Sequence, residues 1–139
     1  MWTENPIFRE DLDRLTSYDY IPWDDLRDST VFITGATGLI GYTAVCALLR
    51  YDQLHDAGIK VVALVRDVGR AEAKFSRQIA DGCDITFIRG SVEYLPEIVG
   101  KIDYIIHGAC PTSSQYFVDH AVETCLLYTS DAADDSLRV

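Results

Sequence analysis

From Thr30 onward, short unbroken apolar runs alternate with segments whose apolar residues recur every three or four positions. Val31-Phe32-Ile33 is a β-branched and aromatic run ended by Gly35, and it predicts a buried strand. Residues 39–54 predict a helix, with Ile40, Ala44, Ala47 and Leu48 spaced for one buried face. Val61-Val62-Ala63-Leu64-Val65 predicts a second strand, and residues 71–80 a second helix stopped by Asp81-Gly82. Ile85-Thr86-Phe87-Ile88 predicts a third strand and Ile102-Asp103-Tyr104-Ile105-Ile106 a fourth. Strands alternating with helices imply β-α-β units and a parallel sheet covered on both faces. The fold class expected is α/β, the opening half of a doubly wound parallel sheet cut to about four strands in the order 3-2-1-4.

Residues 1–29 carry a different pattern, an acidic helical lead-in. Leu12 and Leu15 with charges between them suit a short amphipathic helix, with Asn5-Pro6 as its cap and first turn. Pro22-Trp23-Asp24-Asp25-Leu26 predicts a second helical turn. This arm is expected to pack on the body through Ile7, Phe8, Leu12, Leu15 and Trp23.

Composition narrows the function classes. The chain has 139 residues, 48% of them apolar and 24% charged, enough for one core and too apolar for a disordered chain. Twelve Lys plus Arg against 22 Asp plus Glu give a formal charge of −10, with no basic run. Neither nucleic acid nor an anionic membrane is an expected partner. The apolar runs fall short of a membrane span. The first residues lack the basic and apolar regions of a signal peptide, so a cytoplasmic location is expected. Cys46, Cys83, Cys110 and Cys125 show no CxxC spacing and read as reduced, mostly structural thiols. His55, His107 and His120 are dispersed, and no metal site is expected.

The sharpest chemical signal is Thr34-Gly35-Ala36-Thr37-Gly38-Leu39-Ile40-Gly41, between the first strand and the first long helix. Gly35 permits a tight turn off the strand, Gly38 lets backbone approach a pyrophosphate, and Gly41 lets the helix pack on the sheet. Free N–H groups at the helix start, aided by the helix dipole, suit phosphate oxygens. The spacing is GxxGxxG rather than GxGxxG, and its strand–loop–helix context marks a dinucleotide-binding Rossmann unit over residues 30–124. The same spacing argues against a flavodoxin-like domain. The second strand ends Val65-Arg66-Asp67. An arginine at that tip pairs with a 2′-phosphate, whereas an acid binds the ribose diol. Register puts Arg66 at the tip and favours NADP over NAD, while Asp67 keeps NAD open.

At these residues the chain resembles an extended short-chain dehydrogenase/reductase of the NAD(P)-dependent epimerase/dehydratase family. The resemblance runs from about Thr30 to Thr124. It rests on the glycine loop, on Val65-Arg66-Asp67, and on Ile105-Ile106-His107-Gly108-Ala109-Cys110. It implies cofactor contacts from Gly35, Thr37, Gly38, Leu39, Ile40 and Gly41, and from Arg66. Gly108 and Ala109 would lie on the nicotinamide-ribose side. His107 would then be a packed strand-end histidine and Cys110 a neighbour of the site. Where the family often has Asp-Val after the third strand, this chain has Ser91-Val92, so the adenine contact is weakened or passes to a hydroxyl. Substrates in the family are commonly nucleotide-sugars. Pro111-Thr112-Ser113-Ser114 would begin the substrate loop, its hydroxyls, Ser113 among them, either binding sugar or phosphate or capping the next helix. Family members are often dimers.

The family's catalytic Tyr-x-x-x-Lys is absent. Lys60, Lys74 and Lys101 are preceded four positions earlier by Asp56, Arg70 and Glu97, and no catalytic residue is assigned. Cys125-Leu126-Leu127-Tyr128-Thr129-Ser130-Asp131-Ala132-Ala133-Asp134 resembles the translation of a transposase adapter used in sequencing libraries. Residues 125–139 are therefore expected to be a non-native tail, the native sequence ending near Thr124. The parent is expected to be an enzyme that oxidises a nucleotide-sugar hydroxyl transiently on a bound NAD(P). An NADP-linked carbonyl reductase and a non-catalytic NAD(P)-sensing protein are the alternatives. The fragment alone is expected to be inactive and poorly soluble, because an apolar strand would be left at the sheet edge.

Overall fold

The computed structural model describes residues 5–109 together with Asp119 and Val122. Helix α1 (Pro6–Thr16) starts where the sequence predicts. The Asn5 side chain accepts from the Ile7 N–H at 2.9 Å, and Pro6 occupies the first turn, where its missing N–H leaves no bond unmade. A short 3-10 turn follows (Trp23–Leu26). Then come β1 (Thr30–Thr34), α2 (Leu39–His55), β2 (Lys60–Val65), α3 (Val68–Lys74), α4 (Ser76–Ala80), β3 (Ile85–Arg89) and β4 (Tyr104–His107).

The four strands form one all-parallel sheet in the order β3-β2-β1-β4. The fold is α/β, with the strand order of half a doubly wound sheet. Register aligns Val31 and Ile33 with Val61 and Ala63, and these with Ile85 and Phe87. Because side chains alternate along a strand, all six point to one face; Val31, Ile33, Val61 and Ala63 belong to the core, and Ile85 and Phe87, half-buried, pack against it.

Packing departs from the expected pattern at two isoleucines. Ile40 is 83% exposed, although helical spacing puts it beside Ala44, Ala47 and Leu48. The reason lies one residue on. Gly41 faces the turn after β1, and at about 100° per residue this turns Ile40 away from the sheet. Ala47 and Leu48 are buried and Ala44 half-buried as expected, and burial on α2 extends to Tyr42, Val45, Cys46, Leu49 and Tyr51, since the helix lies between the sheet and α1. In the lead-in, Phe8, Leu12 and Trp23 are buried and Leu15 is half-buried, whereas Ile7 lies on the outer face. Phe8 stacks on Tyr42 and Trp23 on Tyr51, at ring-centre distances of 6.2 and 4.6 Å.

The helix expected over residues 71–80 starts earlier and is divided in two. Asp67 caps α3, accepting from the Arg70 N–H at 3.0 Å, so the helix begins at Val68. At the junction Phe75 leaves helical geometry and is fully buried between Tyr42 and Phe87, 4.9 and 5.7 Å away. Phe8, Tyr42, Phe75 and Phe87 thus form one aromatic chain from α1 to β3. The fourth strand also begins later than its apolar run. Asp103 is held outside the regular ladder, its carboxylate accepting from the Thr30 N–H and its own N–H donating to the Thr30 carbonyl.

Strand β4 is the sheet edge among the described residues, with Ile105 68% exposed. Cys46 and Cys83 are free thiols, and burial pushes Cys46 up to about 12. Buried, protonated sulfur of this kind is a packing group rather than a nucleophile. Cys110, Ser113, Cys125 and residues 125–139 lie outside the described residues.

Candidate functional site

The carboxyl ends of β1, β2 and β4 lie side by side, with Thr34 paired to Leu64 on one flank and to His107 on the other. Parallel strands collect their outgoing loops at one end of the sheet, where α/β proteins bind ligands. The glycine loop, the Arg66-Asp67 pair and the Gly108-Ala109 pair all emerge there.

The three loop glycines meet three different constraints. Gly35 has φ +73°, and a Cβ there would also run into Gly108 and the Ala109 nitrogen, the latter at 2.8 Å. The β1 turn and the end of β4 are in backbone contact, so any side chain at Gly35 would part the strand ends. Gly38 is the N-cap of α2 in extended conformation and offers no capping side chain. Its own N–H donates to the Gly35 carbonyl at 3.0 Å, closing the turn. Gly41 sits in the first turn of α2 against Gly35 and Ala36, where a Cβ would be 3.0 Å from the Ala36 Cα and closer still to the Gly35 carbonyl.

Within this arrangement the N–H groups of Leu39, Ile40 and Gly41 have no helical acceptor, and among the described residues they donate to nothing else. They form the positive end of a helix of 17 residues. Chemically, this end can bind an anionic oxygen and fix its orientation. The side chains of Leu39 and Ile40 are exposed beside it, and that of Thr37 is exposed as well.

Thr34, which opens the glycine motif but is assigned no contact from sequence, joins the strand ends. Its hydroxyl lies 2.8 Å from His107 Nδ1 and accepts from the Ala109 N–H at 3.3 Å. The Gly108 N–H donates to the Thr34 carbonyl. The half-buried His107 is packed at the strand end, and Gly108 and Ala109 are held beside the glycine loop.

No family model and no curated protein matches this chain.

At the tip of β2 the two candidate residues take different parts. Arg66 is exposed and makes no ion pair among the described residues. Asp67 spends one carboxylate oxygen on the α3 cap. Beyond β3, the Gly90 N–H donates to the Val65 carbonyl, which sets Ser91 and Val92, both half-buried, next to the β2 tip. Ser91 Oγ accepts from the Tyr94 N–H at 3.2 Å and keeps its own proton free to donate. Lys74, at the far end of α3, reaches back to the glycine loop and donates to the Thr37 carbonyl at 2.6 Å. Its ammonium lies 4.9 Å from the Tyr42 ring centre. Periodicity gave no hint of that contact, since it joins residues far apart in sequence.

Among the described residues, no group of three or more His, Cys, Asp or Glu side chains is placed to hold a metal. No helix there is long and apolar enough to cross a membrane.

Proposed function

We propose that this chain is the NAD(P)-binding half of an epimerase/dehydratase-type oxidoreductase acting on a nucleotide-sugar. One observation carries the reading. The helix α2 start leaves the N–H groups of Leu39, Ile40 and Gly41 unspent, directly after a turn that glycine alone can form at Gly35 and Gly41. A dinucleotide pyrophosphate requires such a cradle, with backbone donors aimed at its oxygens and no side chain in the way. A Cβ on Gly38 would press on the Gly35 carbonyl at 3.3 Å, a looser contact than those at Gly35 and Gly41.

In this reading Gly35, Thr37, Gly38, Leu39, Ile40 and Gly41 hold the pyrophosphate, while Ser91 and Val92 flank the adenine. Gly108 and Ala109 border the nicotinamide ribose, where small residues permit close approach. Arg66 favours NADP, because it stands exposed at the β2 tip while Asp67 is engaged as a helix cap. When bound, a nicotinamide supplies reversible hydride transfer. The part of these residues is to bind and orient it.

The test is binding. Titration of the chain with NADP+ and NAD+ should show both, NADP+ the tighter. Arg66→Asp should bring NAD+ level or ahead, since it removes a phosphate partner and adds a diol acceptor. A chain that binds neither dinucleotide would overturn the reading, and NADP+ affinity unchanged in Arg66→Asp would remove the assignment of that residue.

A further inference from the structure

A cluster of positive charge lies away from the glycine loop. A cavity of about 70 Å³ sits among α1, α2 and α4, toward the amino end of the sheet, since Asp81 and Cys83 on its wall lead into β3. Three arginines line it, Arg9 from α1, Arg50 from α2 and Arg77 from α4. Among the described residues, Asp81 is the one acid on its wall. In a chain of formal charge −10, cations concentrated in this way attract an anion.

Two of the arginines are held in place by carboxylates. Arg50 Nε donates to Asp13 at 2.7 Å and Arg77 Nε to Asp81 at 3.2 Å. Each bond fixes the guanidinium through Nε and leaves N–H groups on the terminal nitrogens for a ligand. The Arg9 guanidinium has no partner among the described residues.

The inner wall asks for the opposite kind of group. Gln78 is 8% exposed, and its Nε2 donates to Cys46 Sγ at 3.4 Å. Its Oε1 has no hydrogen-bond partner among the described residues. A buried acceptor left unpaired is costly, and a donor entering the cavity relieves that cost. A carboxylate or a sulfate brings acceptors only. Phosphate at neutral pH brings oxygens for the arginines and a hydroxyl for the amide oxygen. One water needs about 10–15 Å³, so the cavity has room for a small polyatomic ion.

We infer that this cavity is a binding site for a phosphate-type oxyanion that carries a hydroxyl, with Arg9, Arg50 and Arg77 on its oxygens and Gln78 Oε1 accepting from the hydroxyl. The source is free phosphate or a small hydroxyl-bearing phosphate ester. The site does not depend on the dinucleotide reading, because the glycine loop leaves the opposite, carboxyl end of the sheet. A bound ion joins α1 to α2 and α4 and so fastens the lead-in to the sheet.

The test is equilibrium dialysis of the chain against radiolabelled inorganic phosphate at neutral pH and constant ionic strength, with the urea midpoint of each variant recorded alongside. Saturable binding is expected. Arg9→Gln alters an exposed side chain with no partner to lose, so it should keep the phosphate-free urea midpoint. It should weaken phosphate by about tenfold, as the loss of one charge-assisted hydrogen bond does. Sulfate should compete about fivefold less well than phosphate, and Gln78→Met should bring the two level. An absence of saturable binding would overturn the proposal. So would unchanged affinity in Arg9→Gln, which would put the ion elsewhere, the glycine loop included. Sulfate competing as well as phosphate in the unmodified chain would overturn the part given to Gln78. Glycerol 3-phosphate competing as well as phosphate would support the site with an ester as its ligand, and failing to compete would support it with the free ion.

Discussion

Replacing Gly41 by alanine should destabilise the fold, although the same exchange inside a helix ordinarily stabilises it. Alanine is favoured over glycine in a helix interior by about 1 kcal/mol. At Gly41 the added methyl falls on the turn after β1, 2.8 Å from the Gly35 carbonyl carbon and 3.0 Å from the Ala36 Cα. Those atoms are backbone, and they are pinned from the other side by Gly108 and Ala109, so they cannot yield as a side-chain tip could. Overpacking of this kind costs about 1–3 kcal/mol, which outweighs the propensity gain and leaves a net loss of about 1 kcal/mol. Gly69 is the internal control. It lies in α3, and a Cβ there meets only Asp67 Oδ1 at an ordinary 3.6 Å, so Gly69→Ala should be stabilising. Urea unfolding followed by tryptophan fluorescence reads both, since Trp23 is buried against Tyr51. With a urea m-value of about 2 kcal/mol/M, the Gly41→Ala midpoint should fall by about 0.5 M. A Gly41→Ala midpoint equal to or above that of the unmodified chain would refute the account of a helix pressed onto the β1 turn.

Two further outcomes follow from burial and from the sheet edge. Burial raises the Cys46 thiol from 9.0 to about 12, so its contribution to stability is complete below pH 9 and is lost as pH rises toward 12, because the unfolded thiol ionises first. Across that window the unmodified chain should lose up to about 1.4 kcal/mol per pH unit relative to Cys46→Ala, and a difference that stays constant with pH would contradict it. Ile105, 68% exposed on the edge strand β4, should drive association of the isolated chain; Ile105→Lys should leave more protein in the supernatant after centrifugation, and unchanged partition would point to another surface.

The outline of the fold was legible along the chain because its strands are buried on one or both faces. Val31-Phe32-Ile33 and residues 61–65 are continuous apolar runs for that reason, and the β-α alternation then leaves a parallel sheet with few possible orders. Asn5-Pro6 marks the start of α1 by local chemistry alone, since a cap bond spans only two residues. The glycine loop is readable in the same way, as a spacing fixed by one turn and the helix that follows.

Contacts between distant segments were decided only in three dimensions. Residues 71–80 have the periodicity of a single helix, but Phe75 is drawn into the aromatic chain between Tyr42 and Phe87 and divides it. Ile40 has the spacing of a core residue, and the seating of Gly41 on the turn after β1 turns it outward. Asp67 keeps NAD open in sequence, and in the fold one of its carboxylate oxygens caps α3. Thr34 opens the glycine motif without a sign of its partners, and Lys74 has nothing nearby to mark it, yet one ties β1 to β4 and the other ties α3 to the glycine loop. Local propensity and periodicity act over a few residues and so are written in the sequence. Which cation faces the loop, and which glycine bears on which carbonyl, depends on where separate elements come to rest against one another.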